Sequence, residues 1–176
     1  VESSEESDLV ASLQVDGLKP GKSYSYEVLI DDEPISAPVK SSITTLPVNQ
    51  KIRIAFGTCP HRWGLGNQKQ ADRILRHKPS ALLMYGDLGS QDKNEHVGKH
   101  RSDYQIRDLF PAWQSLSGSI PTFTSWDDHD YFDNDRSGIP KNCTNNDRLA
   151  VRKAFSQAWN NPCLLYTSPS PRDGRE

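Results

Sequence analysis

The first quarter of the chain alternates apolar and polar residues in the way that β-strands do. Residues 9–15 and 24–30 place apolar side chains at nearly every second position, and residues 39–44 form a shorter run of the same kind. A Leu-Lys-Pro-Gly segment at 18–21 favours a turn between the first two runs. This pattern predicts β structure, followed by a linker at residues 46–50.

From residue 51 onward the pattern changes to strands that alternate with helices. Strands are predicted at residues 51–56, 81–85 and 120–125, and the middle one is a continuous apolar run typical of a strand buried on both faces. Helical periodicity occupies residues 67–77 and 101–116. The order of these elements predicts an α/β fold with a parallel sheet.

Two further features of the helices can be predicted. Ala71, Ile74 and Leu75 share one face of the helix at residues 67–77. A last helix is expected at residues 148–159, because the Asn-Asn-Asp sequence just before it can cap a helix N terminus.

Residues that can bind a metal or take part in catalysis follow the ends of the three strands. Cys59 follows the first, Asp87 the second, and an acidic cluster at 125–135 the third. The cluster holds five carboxylates, one imidazole and one carboxamide. Ligands of parallel sheets bind beyond the carboxyl ends of the strands, so these groups are expected to share one site. Such a density of negative charge favours a hard metal ion, although a solvated acidic loop is the alternative for the cluster taken alone.

Composition narrows the possible functions. The chain of 176 residues has a net charge of −2 and no basic run, which disfavours a nucleic-acid surface. No apolar run is long enough to cross a bilayer. Its three cysteines, Cys59, Cys143 and Cys163, do not make a disulfide framework.

One histidine pair is a candidate for a separate metal site. His96 and His100 are four residues apart, a spacing that can bind zinc on a helix. The segment lacks a Glu directly after the first His and contains Gly98, which disfavours a helix. It is therefore expected to be a surface loop.

Three strand-end motifs together resemble the PhoD-like alkaline phosphatase branch of the metallophosphoesterases. They are Phe-Gly-Thr-Cys at 56–59, Tyr-Gly-Asp at 85–87 and Trp-Asp-Asp-His-Asp at 126–130. The segment 17–26 resembles the corner of a fibronectin type III-like sandwich, in which a Tyr hydroxyl, here that of Tyr24, ties a strand to the preceding turn. The resemblance implies a partial metallophosphoesterase-type β-sandwich with flanking helices, preceded by a partial fibronectin type III-like all-β domain.

The resemblance also implies roles for the strand-end residues. Cys59 matches a thiolate that helps to hold ferric iron, and Asp87 matches a carboxylate that bridges metals. Asp128 falls on the position of a metal-ligating Asn in the wider superfamily. His129 falls on a catalytic histidine that contacts the phosphate or the leaving group. The implied cofactors are iron and calcium.

Four other residues bear on the predicted site. Asn134 is a further candidate metal ligand, and Arg101 is a candidate substrate-binding residue. His61 is considered as a scaffold or substrate-orienting residue. Ser90 stands where PhoD-like sequences commonly have a Tyr, which leaves the metal set open to another choice.

The function implied by the resemblance is hydrolysis of phosphoric mono- or diesters. The full-length protein is expected to be a periplasmic or extracellular monomer without a membrane span. Two alternatives stay open: a purple acid phosphatase-like enzyme, and a non-enzymatic fibronectin-type binding module joined to a degenerate phosphatase domain. A purple acid phosphatase-like enzyme would require a Gly-Asn-His-Glu motif, which this sequence lacks.

The C-terminal residues differ in character from the rest. Residues 163–173 resemble an in-frame translation of a transposase-type sequencing adapter, with an ordinary Pro/Ser-rich linker as the alternative. We therefore expect a fibronectin-like domain at 1–47, part of a phosphatase domain at 51–162 and a non-native tail at 163–176. Such a fragment should be inactive alone, because the family takes its remaining Asp and His ligands from later strands.

Overall fold

A computed structural model describes most of the chain, namely residues 2–5, 9–35, 42–88, 96 and 98–159. The expected tail at 163–176 with Cys163, and also Ser90, lie outside the described residues. Within the described part, no helix is both long and apolar enough to span a bilayer.

Short antiparallel pairs make up the N-terminal part. Their strands are β1 (Ser23–Ser25), β2 (Leu29–Ile30), β3 (Glu33–Pro34) and β4 (Ser42–Thr44). β1 pairs with β4, and β2 forms a hairpin with β3. The predicted strand at 24–30 is thus divided between β1 and β2, which belong to different pairs.

The predicted tie at Tyr24 is present. Its hydroxyl accepts a hydrogen bond of 2.8 Å from the backbone N–H of Lys19, in the preceding turn. In contrast, the strand predicted at residues 9–15 is wrong: this segment belongs to no sheet of the described residues, and its side chains are exposed. Alternation produces a strand only where a neighbour supplies ladder hydrogen bonds, and no described strand pairs with this segment.

The second part contains the predicted parallel sheet. Its strands are β5 (Ile54–Gly57), β6 (Ala81–Tyr85) and β7 (Thr122–Ser125), in that spatial order and all parallel. The α/β prediction is confirmed at this level. Because the strands are parallel, their three carboxyl ends lie at one edge of the sheet.

The described helices connect these strands or follow them. They are α1 (His61–Leu65), α2 (Gln68–Arg76), α3 (Gly98–Asp108), α4 (Pro111–Ser117), α5 (Asp128–Tyr131) and α6 (Asn145–Ala158). α2 matches its prediction: Asn67 caps it, and Ala71, Ile74 and Leu75 face the core.

Two predicted helices differ from those observed. Residues 101–116 form parts of two helices, because Pro111 has no N–H to continue α3 and instead occupies the first position of α4. α6 begins earlier than expected, since Thr144 and Asp147 form a reciprocal capping box at its N terminus.

The surface loop expected around His100 is also wrong. Gly98 and His100 lie in the first turn of α3, where a glycine costs less than in a helix interior, and His100 is 0% exposed. His100 Nε2 lies 2.8 Å from the carbonyl oxygen of Tyr131.

The hydrophobic core lies between one face of the sheet and the helices. Phe155 of α6 is packed among Tyr104, Trp126 and Trp159, with ring centroids 6.1, 5.7 and 6.5 Å from its own. The guanidinium of buried Arg107 lies 4.0 Å from the ring centre of Trp159. These contacts hold α3 and α6 together and pack them against Trp126, which directly follows β7.

Candidate metal centre

The loops at the carboxyl edge of the sheet position the residues that the sequence singled out. Cys59 lies two residues beyond β5, Asp87 lies two residues beyond β6, and Asp128 and His129 begin α5 shortly after β7. These residues therefore lie at one edge of the sheet, as the sequence predicted.

Three of these side chains converge closely. Asp87, Asp128 and His129 each offer one ligand atom, and these atoms lie within 4.8 Å of one another. Oxygen ligands on opposite sides of a calcium ion are separated by about 5 Å, since each bond is about 2.3–2.6 Å long. The spacing and the donor atoms therefore fit one cation between the three side chains.

The thiol of Cys59 reaches the same group. Its Sγ donates a hydrogen bond of 3.1 Å to Oδ2 of Asp87. A thiolate is a soft ligand that suits iron, whereas carboxylates suit calcium. The donor set fits iron and calcium but does not identify the metal.

The loop backbones after β5 and β6 adopt an unusual conformation. The φ angles of Cys59 and Asp87 are 48° and 58°, in the left-handed region that side chains seldom occupy. The hydroxyl of Thr58 donates to the carbonyl of Tyr85 at 2.7 Å, and the Cys59 N–H donates to the carbonyl of Gly86 at 3.3 Å. These hydrogen bonds hold the two loops together in the strained conformation.

Gly86 allows the loops after β6 and β7 to approach each other. Its φ is +78°, and an added Cβ would lie 2.6 Å from Cβ of Asp127 and 2.7 Å from its backbone nitrogen. A side chain at residue 86 would therefore separate Asp87 from α5.

Backbone groups hold Asp128 as an anion. Its Oδ1 accepts from the N–H of His129 at 2.9 Å, and its Oδ2 accepts from the N–H of Asp135 at 2.5 Å. Partial burial raises the pKa of Asp128, but these N–H groups and the charge of His129 outweigh it and leave the pKa below its ordinary value. At neutral pH the side chain is thus ionised.

The environment of Cys59 favours the neutral thiol while no cation is bound. A hydrogen bond with Thr58 lowers the pKa of Cys59, whereas the hydrogen bond to Asp87, burial, and the charges of Asp87 and Asp127 raise it. The net pKa lies above the ordinary value. A thiolate at this position requires a compensating cation.

The structure also describes three other predicted site residues. Asn134 is exposed, and its amide donates to the carboxylate of Asp135 at 2.9 Å. Arg101 is half-buried in α3, and His61 stacks on Trp63 with ring centroids 6.1 Å apart. The roles of these residues stay predictions, as do the ligand roles of Cys59 and the residues near it.

Sequence reasoning gave no separate role to Asp130. Its side chain is 1% exposed, and its Oδ2 accepts from the backbone N–H groups of Asp87 at 2.6 Å and Asp127 at 3.2 Å. A local signal was present: Asp127 and Asp130 have the three-residue spacing of a capping box at the start of a helix.

The close packing at Gly86 gives a first testable prediction. We expect Gly86→Ala to lower the free energy of unfolding by more than the ~1–2 kcal/mol that a left-handed alanine costs, because the methyl group also overlaps Asp127. Gly138→Ala is the matched control, since its φ is +74° and nothing lies within 4 Å of an added Cβ. Urea unfolding of both variants tests this, and equal losses of stability would refute the steric part.

The thiol of Cys59 gives a second prediction, for the metal-free chain in chelator. Asp87→Asn removes a nearby negative charge, so the pKa of Cys59 should fall and alkylation by iodoacetamide should begin at lower pH. The other two cysteines are replaced by serine so that one thiol reacts, and Asp72→Asn on the exposed face of α2 is the control. An unchanged pH profile in Asp87→Asn would contradict the contact between the two side chains.

Comparison with known proteins supports a relationship of fold. A solved structure of PhoD superposes with a TM-score of 0.57 and 24% sequence identity, covering 90% of this chain. This chain spans 34% of the length of that one. No family model and no curated protein matches the sequence. The chain therefore has a PhoD-like fold over most of its length, with an Asp/His group that can bind metal at the carboxyl edge of its sheet.

Proposed function

We propose that this chain provides part of the active site of a metal-dependent phosphoric ester hydrolase of the PhoD-like type. The observation that supports this most is the convergence of Asp87, Asp128 and His129 at the carboxyl edge of the sheet. The likeness of the fold to PhoD also supports the proposal. The activity belongs to a complete protein, since the similarity spans 34% of the PhoD chain.

The proposed roles follow from the chemistry of each side chain. Asp87 and Asp128 bind cations through carboxylate oxygens, and Cys59 adds a thiolate after losing its proton. Bound iron and calcium would neutralise phosphoryl oxygens and activate a water molecule. His129 contacts the phosphate or the leaving group, where an imidazole can hold or supply a proton.

The remaining assignments complete the proposal. Asn134 is an additional oxygen ligand, and the guanidinium of Arg101 orients the phosphate through paired hydrogen bonds. The N-terminal strands belong to a fibronectin type III-like module, and the complete protein acts in the periplasm or outside the cell as a monomer. The metallophosphoesterase sandwich is completed by further strands.

Metal retention by this chain is the direct test of the proposal. After dialysis against iron and calcium, elemental analysis should find stoichiometric metal in the original sequence and a loss of at least about tenfold in affinity in Asp128→Ala. Asp72→Ala removes an exposed carboxylate of α2 and should bind as the original does. Absence of stoichiometric metal both from this chain and from a longer protein that contains the rest of a PhoD-like fold would refute the proposal and favour the non-enzymatic binding module.

Hydrolysis is tested in a longer protein that contains this sequence together with the rest of a PhoD-like fold. Asp128→Ala should reduce turnover of a chromogenic phosphate ester to background, because an ionised ligand is lost. Asp72→Ala again serves as the control. Unchanged turnover in Asp128→Ala would exclude Asp128 from the active site.

A further inference from the structure

Asp130 lies behind the proposed ligands and touches both loops that hold them. Its Oδ2 accepts from the N–H of Asp87, in the loop after β6, and from the N–H of Asp127, in the loop after β7. One oxygen atom thus joins two segments that are forty residues apart in sequence. The same two segments are in backbone contact at Gly86.

Helix α3 holds Asp130 from the other side. The hydroxyl of Tyr104 donates to Oδ1 of Asp130 at 3.2 Å. His100, one turn earlier on α3, places Nε2 2.8 Å from the carbonyl of Tyr131. A carbonyl oxygen only accepts, so Nε2 of His100 carries a proton. Residues four apart share one face of a helix, and this face of α3 therefore fixes α5 at two adjacent positions.

The bonding pattern requires an acceptor at residue 130. The N–H groups of Asp87 and Asp127 and the hydroxyl of Tyr104 all donate toward this carboxylate. Burial, followed by the charge of Asp130, raises the pKa of Tyr104 well above its ordinary value, so the phenol keeps its proton and remains a donor. A buried carboxylate is tolerable where several such donors surround it.

We infer that Asp130 is a positioning residue, which acts through the backbone of Asp87 and Asp127 to set the separation of the Asp87 and Asp128 carboxylates. This inference rests on the proposed metal site for its consequence, though the tie between the loops can be tested without metal. Partners of this kind, which orient metal ligands without binding the metal, typically contribute about 10–100-fold to metal affinity.

Asp130→Leu is the informative variant, because it keeps a side chain of similar size and removes both acceptor oxygens. Titration with calcium and with ferrous iron under argon should show affinity in Asp130→Leu about 10–100-fold below that of the original chain. Asp130→Asn is the matched control: its amide oxygen can accept from both backbone N–H groups while its NH₂ donates to the Tyr104 hydroxyl, which can reverse to accept, so it should lose less. Tyr104→Phe leaves both contacts of Oδ2 in place and should lose less.

A destabilised variant separates positioning from general loss of stability. Leu116→Ala empties a buried position in α4, at a typical cost of about 2–5 kcal/mol, and leaves the residues of the tie unchanged. Positioning predicts that Asp130→Leu loses metal affinity while Leu116→Ala, still folded by circular dichroism, keeps it. Equal affinities in folded Asp130→Leu and the original chain would overturn the inference.

Hydrogen exchange in chelator tests the tie independently of any metal. Asp130→Leu, and also Asp130→Ala if it folds, should speed exchange of the Asp87 and Asp127 amides at least tenfold relative to amides inside β6, whereas Asp130→Asn should change this ratio less. Leu116→Ala should not change that ratio. Unchanged ratios in folded Asp130→Leu and Asp130→Ala would refute positioning even if metal binds. If the original chain binds neither metal, that result counts against the proposed metal site, while the exchange result still decides the role of Asp130.

Discussion

The close approach of the loops after β6 and β7 is the constraint on which the candidate site depends. Parallel pairing brings both strand ends to one edge, but it does not by itself bring the side chains of Asp87 and Asp128 within reach of a common cation. That requires backbone contact, which Gly86 permits because an added Cβ would lie 2.6 Å from Cβ of Asp127. The buried carboxylate of Asp130 then fastens the two loops through their N–H groups.

The electrostatics of the strand ends explain why this arrangement favours a cation. Carboxylates crowded at one edge repel each other unless donors or a cation compensate them. Backbone N–H groups compensate Asp128 and lower its pKa, whereas Cys59 responds to the same negative field with a raised pKa. The negative charge at this edge is therefore only partly compensated by N–H groups. The carboxylate oxygens and the sulfur of Cys59 still offer donor atoms to a cation. This is the physical reason for preferring a metal centre over a solvated acidic loop.

Much of this arrangement could be predicted from sequence because its signals are local. The apolar run that forms β6 and the periodic face of α2 follow from short patterns, and strand order places Cys59, Asp87 and Asp128 at one edge. The failures depend on partners that local patterns do not reveal. His100 is buried because Tyr131 lies against α3, and residues 9–15 form no strand because no described neighbour pairs with them. The role of Asp130 could not be predicted from sequence. Its burial distinguishes it from the exposed acids near it, and burial arises only in the folded chain.

Convergence of the three strand ends on a shared cation is the central claim, and Cys59 makes it directly measurable. X-ray absorption at the iron edge distinguishes sulfur from oxygen and nitrogen ligands in the iron-loaded chain. We expect a sulfur scatterer together with oxygen and nitrogen scatterers, and we expect the sulfur to disappear in Cys59→Ser while it persists in Cys143→Ser. A spectrum without sulfur, or one that Cys59→Ser leaves unchanged, would contradict the claim.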